Sequence, residues 1–302
     1  GHVVYLAFWL ASVVFMLALE IPVYFPDKLG GDETSLFFVH NEFTVQFFFG
    51  RAPLYILALY PAVMYSSFVL VKQAGLFEGR FGALSGAIAV GLVHHVFYEV
   101  FDHYGPQYGW WLWNYPNFNG SLASVPVSSM VSFAFIGPIA LTLATRLLVT
   151  TDRYKESVSL SRISSRIQFG VRAVVAGLLT PVFFVLLTAE TWYGLLAIEL
   201  TTQREAFTAI ALLGSALTLT VLKFSRITEF SMSGLLAFSK AYLLLFLAVF
   251  LALWLYALPD YLAAVDGVTS WGSRTGSMPY ASGCIALGIF FLLRTRSAEQ
   301  GT

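Results

Sequence analysis

The sequence contains few cysteines and few charged residues. Among its 302 residues only Cys284 is a cysteine, and it lies in an apolar stretch. An internal disulfide and any metal or iron–sulfur site built from several cysteines are therefore excluded. Charged residues make up 11% of the chain, whereas a soluble domain has about 25%. The 17 basic and 17 acidic side chains cancel, so nothing indicates nucleic acid as a partner.

Hydrophobic residues, by contrast, are abundant and occur in long runs. They make up 58% of the chain, and the mean hydropathy is +0.74. Apolar runs near 20 residues predict a single all-α domain that crosses a membrane many times. The first run is too long for a signal-peptide core and has no basic residue before it, so we expect a true span. The eight expected spans are 3–25, 51–71, 81–101, 125–149, 171–188, 206–222, 235–258 and 280–293.

Basic residues fall mainly on one side of this arrangement. An even number of spans puts both termini on the same side of the membrane. That side receives Lys72, Arg80, Arg146, Arg153, Lys155, Arg162, Arg166, Arg172, Lys223, Arg226, Lys240, Arg294 and Arg296. The other side receives Lys28, Arg51, Arg204 and Arg274. The positive-inside rule then predicts an integral membrane protein with both termini in the cytoplasm.

The third expected span ends in a cluster of ionisable residues, His94, His95, Glu99, Asp102 and His103. At about 100° per residue, Glu99 and Asp102 lie within about 40° of His95 on a helix, and His103 lies about 80° away. His94 falls to the side. Ionisable groups at membrane depth are costly unless they are paired or hydrated, so the cluster indicates a functional site.

The first interpretation of this cluster is acid–base chemistry on a lipid, an isoprenoid or another hydrophobic small molecule. A carboxyl beside hydrocarbon favours its neutral form and can then donate a proton to an alkene. Aromatic faces stabilise the cation that results. The expected catalytic residues are Glu99, Asp102 and His95, and the expected substrate-binding residues are Trp110, Trp111, Trp113, His94 and Glu20. The alternative is that these residues cap the helix and form an ordinary aromatic belt at the membrane surface.

A metal site is a second interpretation of the same residues. His95, Glu99, Asp102 and His103 provide nitrogen and oxygen ligands that suit zinc or non-haem iron, and the segment 40–42, with His40 and Glu42, could join them. No His-Glu-x-x-His signature is present. Acid–base chemistry requires no cofactor.

Two other interpretations need no enzyme. Acids that line an outer vestibule also serve proton-coupled transport, although no inverted repeat is visible. An accessory subunit of a larger membrane complex would have membrane lipids and other membrane subunits as its partners.

The segment Trp111-Leu112-Trp113, followed by a Val125-Pro126 pair that opens the next span, resembles the integral-membrane carotenoid hydratase family. Members of that family have an acidic residue in a span, then a tryptophan-containing loop, then a Val-Pro start to the next span. The resemblance covers residues 94–133 and implies addition of water, without a cofactor, to a terminal isoprenoid double bond. It implies roles for Glu99, Asp102, Trp111 and Trp113. The chain departs from the pattern at His94-His95, at Asp102-His103 and at 127–129, where aromatic residues are expected.

Overall fold

The computed structural model describes residues 3–29, 38–114, 120–149, 163–196, 202–227 and 234–295. Four basic residues used in the charge argument lie outside these ranges, namely Arg153, Lys155, Arg162 and Arg296.

The expected spans are helices. They are α1 (Val3–Tyr24), α2 (Leu54–Gln73), α3 (Gly82–Asp102), α5 (Val127–Val131) continued by α6 (Gly137–Leu148), α7 (Ile163–Leu196), α8 (Thr202–Ser225), α9 (Gly234–Ala263) and α10 (Met278–Arg294). A short helix, α4 (Tyr104–Gln107), follows α3. Within the described ranges, seven segments are long and apolar enough to cross a membrane, and α10 is a shorter apolar helix of 17 residues. The structure confirms an all-α, multi-pass membrane protein.

The last four helices extend further than the apolar stretches that predicted them, whereas α2 begins at Leu54 and α5 at Val127, because residues 52–53 and 125–126 form strands. The fifth span was expected at 171–188, but α7 runs from Ile163 to Leu196. The seventh was expected at 235–258, but α9 continues to Ala263. Hydropathy marks the part of a helix that lies in hydrocarbon, whereas backbone hydrogen bonding continues into the polar interface.

Helix α3 lies at the centre of the bundle and packs against α2, α6, α8 and α10. In its most apolar window 89% of the residues are buried, against 22% for α8. Gly91 allows α6 to approach closely, because a Cβ there would lie 2.6 Å from the side chain of Ile139 and from the carbonyl oxygen of Phe135. The ionisable cluster at the end of α3 is therefore enclosed by other helices.

One end of the bundle is basic, and contacts between helices define it. The Tyr5 hydroxyl accepts a hydrogen bond from Gln73 Nε2 at 2.7 Å, and Lys223 Nζ donates to Ser85 Oγ at 2.7 Å. Lys240 Nζ donates to the carbonyl oxygen of Thr295 at 2.9 Å. The start of α1 and the end of α10 thus lie at the same end, as an even number of spans requires.

The other end carries three small antiparallel sheets. In the first, which we call the lid sheet, β1 (Phe38–His40) pairs with β4 (Trp111–Trp113), and Val39 lies opposite Leu112. In the second, β2 (Gln46–Phe47) pairs with β3 (Ala52–Pro53). In the third, β5 (Ser121–Leu122) pairs with β6 (Val125–Pro126). The lid sheet joins the connection before α2 to the segment after α3, and it covers the end of α3.

Candidate functional site

Glu99 lies between two histidines on α3. Its Oε1 is 3.6 Å from His95 Nδ1, and its Oε2 is 3.5 Å from His103 Nε2. All three side chains are buried. The helical spacing therefore brings together the residues that shared a face in the sequence.

Hydrogen bonds from other elements determine the tautomers of both imidazoles. The backbone N–H of Ser277 donates to His103 Nδ1 at 3.2 Å, so the proton of the neutral ring is on the Nε2 that faces Glu99. His95 Nδ1 donates to the carbonyl oxygen of Met130 at 3.1 Å, so its Nε2 accepts from the Tyr280 hydroxyl at 2.7 Å. The N–H of His103 therefore faces Glu99, whereas the N–H of His95 is donated to Met130 and lies beside Glu99.

The helix whose carbonyl oxygens accept from His94 and His95 is distorted. Between α5 and α6 the residues Ser132–Ile136 form a π-helical turn, a feature that is frequent at functional sites. His94 Nδ1 donates to the carbonyl oxygen of Ala134 at 2.7 Å, and its ring stacks on Tyr98 with centroids 5.3 Å apart. His94 thus connects α3 to this turn by a hydrogen bond, although we expected it to bind substrate.

A pocket lies between the lid sheet and the helices α2 and α3. Its lining residues are Phe38, His40, Ile56, Tyr60, Tyr98, Phe101, Asp102, Trp111 and Trp113. Asp102 is buried and is the carboxyl among them. The enclosed space has room for about one water molecule. As it stands, the space is too small for a larger ligand.

His40 occupies the lid side of this pocket. Its Nδ1 lies 3.0 Å from the Tyr55 hydroxyl, and burial lowers the pKa of His40 from 6.5 to about 4. The ring is therefore neutral at pH 7. Glu42, which we expected to join the cluster together with His40, is instead exposed.

A second buried carboxyl, Glu20 of α1, lies beside the pocket and does not line it. Glu20 interacts with Tyr24 and Tyr60, and the Tyr60 and Tyr98 hydroxyls are 2.9 Å apart. Tyr60 and Tyr98 line the pocket. Glu20 therefore contacts one of the two tyrosines that line the pocket, although we expected it to contact substrate directly.

The three tryptophans that follow α3 have different environments. Trp111 and Trp113 are buried in β4 and line the pocket. Trp110 lies outside it, and its ring packs against Tyr55 and Phe101 with centroids 5.6 and 6.1 Å apart. Trp111 and Trp113 point to the same side because alternate residues of a strand share a face.

The cluster is not arranged as a metal site. Among the residues that the structure describes, no three or more His, Cys, Asp or Glu side chains are placed to hold a metal ion. The imidazole nitrogens that face Glu99, His95 Nδ1 and His103 Nε2, carry protons in the arrangement given above, whereas a metal ligand must offer a lone pair. Because metal binding displaces such protons, the zinc or iron site stays a prediction.

Sequence reasoning missed Tyr280 and Ser277, which hold the two imidazoles, and also the Tyr60–Tyr98 pair. The signal for Tyr280 was weak: a tyrosine at the start of the last expected span. Tyr60 stands next to Pro61 within an otherwise apolar helix, and nothing in the local pattern sets it apart.

Comparisons with known proteins yield a family match and no named relative. No curated protein and no solved structure matches the chain. The resemblance to carotenoid hydratases therefore stays a prediction. A family model described as "Domain of unknown function (DUF7802)" matches residues 2–192, a range that contains α1–α6 and most of α7 but not α8–α10. Since the match covers more than half of the chain, the protein belongs to the DUF7802 family.

Proposed function

We propose that the protein is a membrane enzyme that performs acid–base chemistry on a neutral hydrophobic molecule such as a lipid or an isoprenoid. Asp102 is the group that exchanges a proton with the substrate. The observation that carries the proposal is the position of Asp102 as the buried carboxyl in a pocket lined mostly by aromatic rings.

The chemistry of the pocket favours a neutral substrate. Its lining contains no lysine or arginine to hold an anion, and His40 is neutral at pH 7. Once the lid sheet moves aside, a neutral alkene or polyene would lie between the rings of Trp111, Trp113 and Phe38, which line the pocket. A cation that develops on such a molecule is stabilised by the faces of these rings.

The proposed step is a proton transfer to carbon. The carboxyl of Asp102 gives its proton to one carbon of a double bond, and the π electrons form the new C–H bond. The neighbouring carbon becomes a cation, and Asp102 becomes a carboxylate. The cation then loses a proton from an adjacent carbon or takes up water and releases a proton of that water, and in both cases the Asp102 carboxylate accepts the released proton.

Glu99, His95 and His103 support this step from behind the pocket. Glu99 lies one helical turn before Asp102 on α3, and two buried carboxyls so close share a proton more readily than they carry two charges. The two imidazoles lie 3.6 and 3.5 Å from the Glu99 carboxyl, and the N–H of His103 faces it. We therefore assign Glu99 the role of holding a proton in exchange with Asp102, and His95 and His103 the role of positioning Glu99.

The test begins with the molecule that the protein retains. We would purify the wild type gently, extract the organic phase and identify any stoichiometric hydrophobic compound by mass spectrometry. That compound is then the substrate in a turnover assay with Asp102→Asn and with Glu42→Gln, an exposed acid at the same end. We expect Asp102→Asn to lower turnover by about 10²–10⁴ and Glu42→Gln to leave it unchanged. Unchanged turnover in Asp102→Asn would refute the assignment.

A second candidate is a non-catalytic subunit of a membrane complex. Helices α7, α8 and α9 are largely exposed, with 28%, 22% and 33% of their apolar windows buried. Such faces contact either lipid or another protein. Co-purification of stoichiometric partner polypeptides, with only bulk phospholipid in the extract, would favour the subunit.

Proton-coupled transport stays a prediction, and pH-driven uptake into liposomes would test it.

The orientation in the membrane is also part of the proposal. The basic end, with Lys72, Lys223, Lys240 and Arg294, would face the cytoplasm, and the lid sheet would face the other side. Labelling of single cysteines in intact cells with a membrane-impermeant thiol reagent would test this: we expect reaction at the lid end and none at the basic end.

A further inference from the structure

The outer face of the lid sheet is apolar, although its inner face already lines the pocket. Val39 and Leu112 lie opposite each other in register and point outward, and they are 56% and 62% exposed. A sheet with one face in water normally alternates apolar and polar residues, with the polar ones outside. This sheet has apolar residues on both faces, so water is not the natural neighbour of its outer face.

The connection before α2 exposes a second apolar row. Phe43, Val45, Phe47 and Phe49 are alternate residues of a segment that contains a bend, the strand β2 and a turn, and all four are exposed. Phe49 is the extreme case, at 97%. The turn that presents it has positive φ angles at Phe48 and Phe49, 51° and 58°. Residues other than glycine rarely adopt this conformation, so the fold holds the Phe49 ring outward in spite of its cost.

This row, 43–49, continues the lipid-facing surface of the neighbouring spans. The N–H of Leu54, the first residue of α2, donates to the carbonyl oxygen of Val45 at 3.0 Å. Leu54 is itself exposed, and so is Ile21 near the end of α1. Since α1 and α2 cross the membrane, their exposed apolar side chains contact lipid. The row extends that contact beyond the helix ends.

Cationic side chains border the row, as is usual at a membrane surface. The Arg51 guanidinium lies 4.8 Å from the centroid of the Phe25 ring, and the Phe25 and Phe49 rings are 6.2 Å apart. Lys28 is exposed nearby and pairs with Asp27 at 3.0 Å. Aromatic rings beside arginine or lysine at the end of a span are the usual anchors at the boundary between headgroups and acyl chains.

We propose that the row 43–49 and the outer face of the lid sheet are a membrane-contact surface, inserted at the boundary between headgroups and acyl chains of the leaflet at the lid end. Arg51 and Lys28 lie at the level of the lipid phosphates. The inference does not depend on any catalytic activity. If the proposed function also holds, only the thickness of the lid sheet separates the pocket from lipid, and a hydrophobic molecule reaches Asp102 from the bilayer without crossing water.

The test places an environment-sensitive dye at two positions of the full-length protein in phosphatidylcholine nanodiscs. One variant is Phe49→Cys, and its matched control is Glu42→Cys, which is exposed and charged at the start of the same segment. Both variants are labelled with the nitrobenzoxadiazole dye. Wild-type protein treated in the same way serves as the control for labelling of the buried Cys284. Emission is recorded with and without lipids that carry a nitroxide quencher near the headgroup.

We expect the dye at position 49 to emit at shorter wavelength than the dye at 42 and to be quenched more strongly by the nitroxide lipids. Emission at 49 that matches 42 and is quenched by aqueous iodide would overturn the proposal, because the surface would then lie in water. A short-wavelength emission at 49 that nitroxide lipids do not quench would also overturn it, since a second protein copy or another subunit would then cover the surface. Circular dichroism of both labelled variants confirms that they are folded.

Discussion

Removal of the Tyr280 hydroxyl is the sharpest test of how the site is held together. Tyr280 donates to His95 Nε2 at 2.7 Å, and His95 Nδ1 donates to the Met130 carbonyl oxygen. Both nitrogens of a buried ring are thus satisfied. Tyr280→Phe keeps the aromatic ring and leaves Nε2 without a donor. A buried polar atom that loses its partner costs about 1–3 kcal/mol, so we expect the free energy of unfolding to fall by that amount.

The control for this variant is Tyr256→Phe. Tyr256 is exposed on α9, and a surface change of this kind usually alters stability by less than about 0.5 kcal/mol. Both variants are unfolded chemically in detergent micelles, with tryptophan fluorescence and circular dichroism as probes. Equal stability of Tyr280→Phe and Tyr256→Phe would show that the Tyr280 hydroxyl does not stabilise the protein.

A double-mutant cycle separates the hydrogen bond from other effects of Tyr280. His95→Leu removes the acceptor, so Tyr280→Phe should cost little in that background. The interaction free energy should lie between about 0.5 and 3 kcal/mol. Additive costs would show that the hydroxyl stabilises the protein through some other contact.

Two further predictions concern the lid and the start of α10. Burial lowers the pKa of His40 to about 4, so the unfolded state binds more protons between pH 4 and 6.5 and stability falls as the pH drops through that window. His40→Phe should weaken this pH dependence, and an unchanged slope in pH-dependent denaturation would contradict the assignment. At Gly276 an added Cβ would lie 2.0 Å from the carbonyl oxygen of His103, whereas at Gly283 nothing lies within 4 Å. Gly276→Ala should therefore destabilise by about 1–3 kcal/mol and Gly283→Ala should not, and equal unfolding curves for the two would be the contrary result.

The features that the sequence predicted are those set by local periodicity. A membrane helix needs an apolar run of a fixed length, so the spans could be read directly. The positions of His95, Glu99 and His103 follow from the angular repeat of one helix, and the structure finds Glu99 within 3.6 Å of both imidazoles. No knowledge of other helices was needed for either result.

The remaining parts of the site depend on contacts between distant segments. The strands of the lid sheet are three residues long, too short to show an alternating pattern. Nothing local in Trp111–Trp113 indicates that it pairs with Phe38–His40. For the same reason the sequence could not separate Trp110, which lies outside the pocket, from Trp111, which lines it. Whether a tryptophan lines the pocket depends on where the strand begins and on which face of the strand is buried.

The site depends on residues of α10, and this matters when the same site is sought in other members of the family. The family model ends at residue 192, so it includes His95, Glu99 and Asp102 but not Ser277 or Tyr280. Ser277 decides which nitrogen of His103 carries the proton, and Tyr280 supplies the donor to His95 Nε2. A relative that keeps the α3 residues but has a phenylalanine in place of Tyr280 would lack the donor to His95. The Met130 carbonyl oxygen would still hold the proton of that ring on Nδ1, but Nε2 would be buried without a partner. Matching α3 alone is therefore not sufficient to infer the same site.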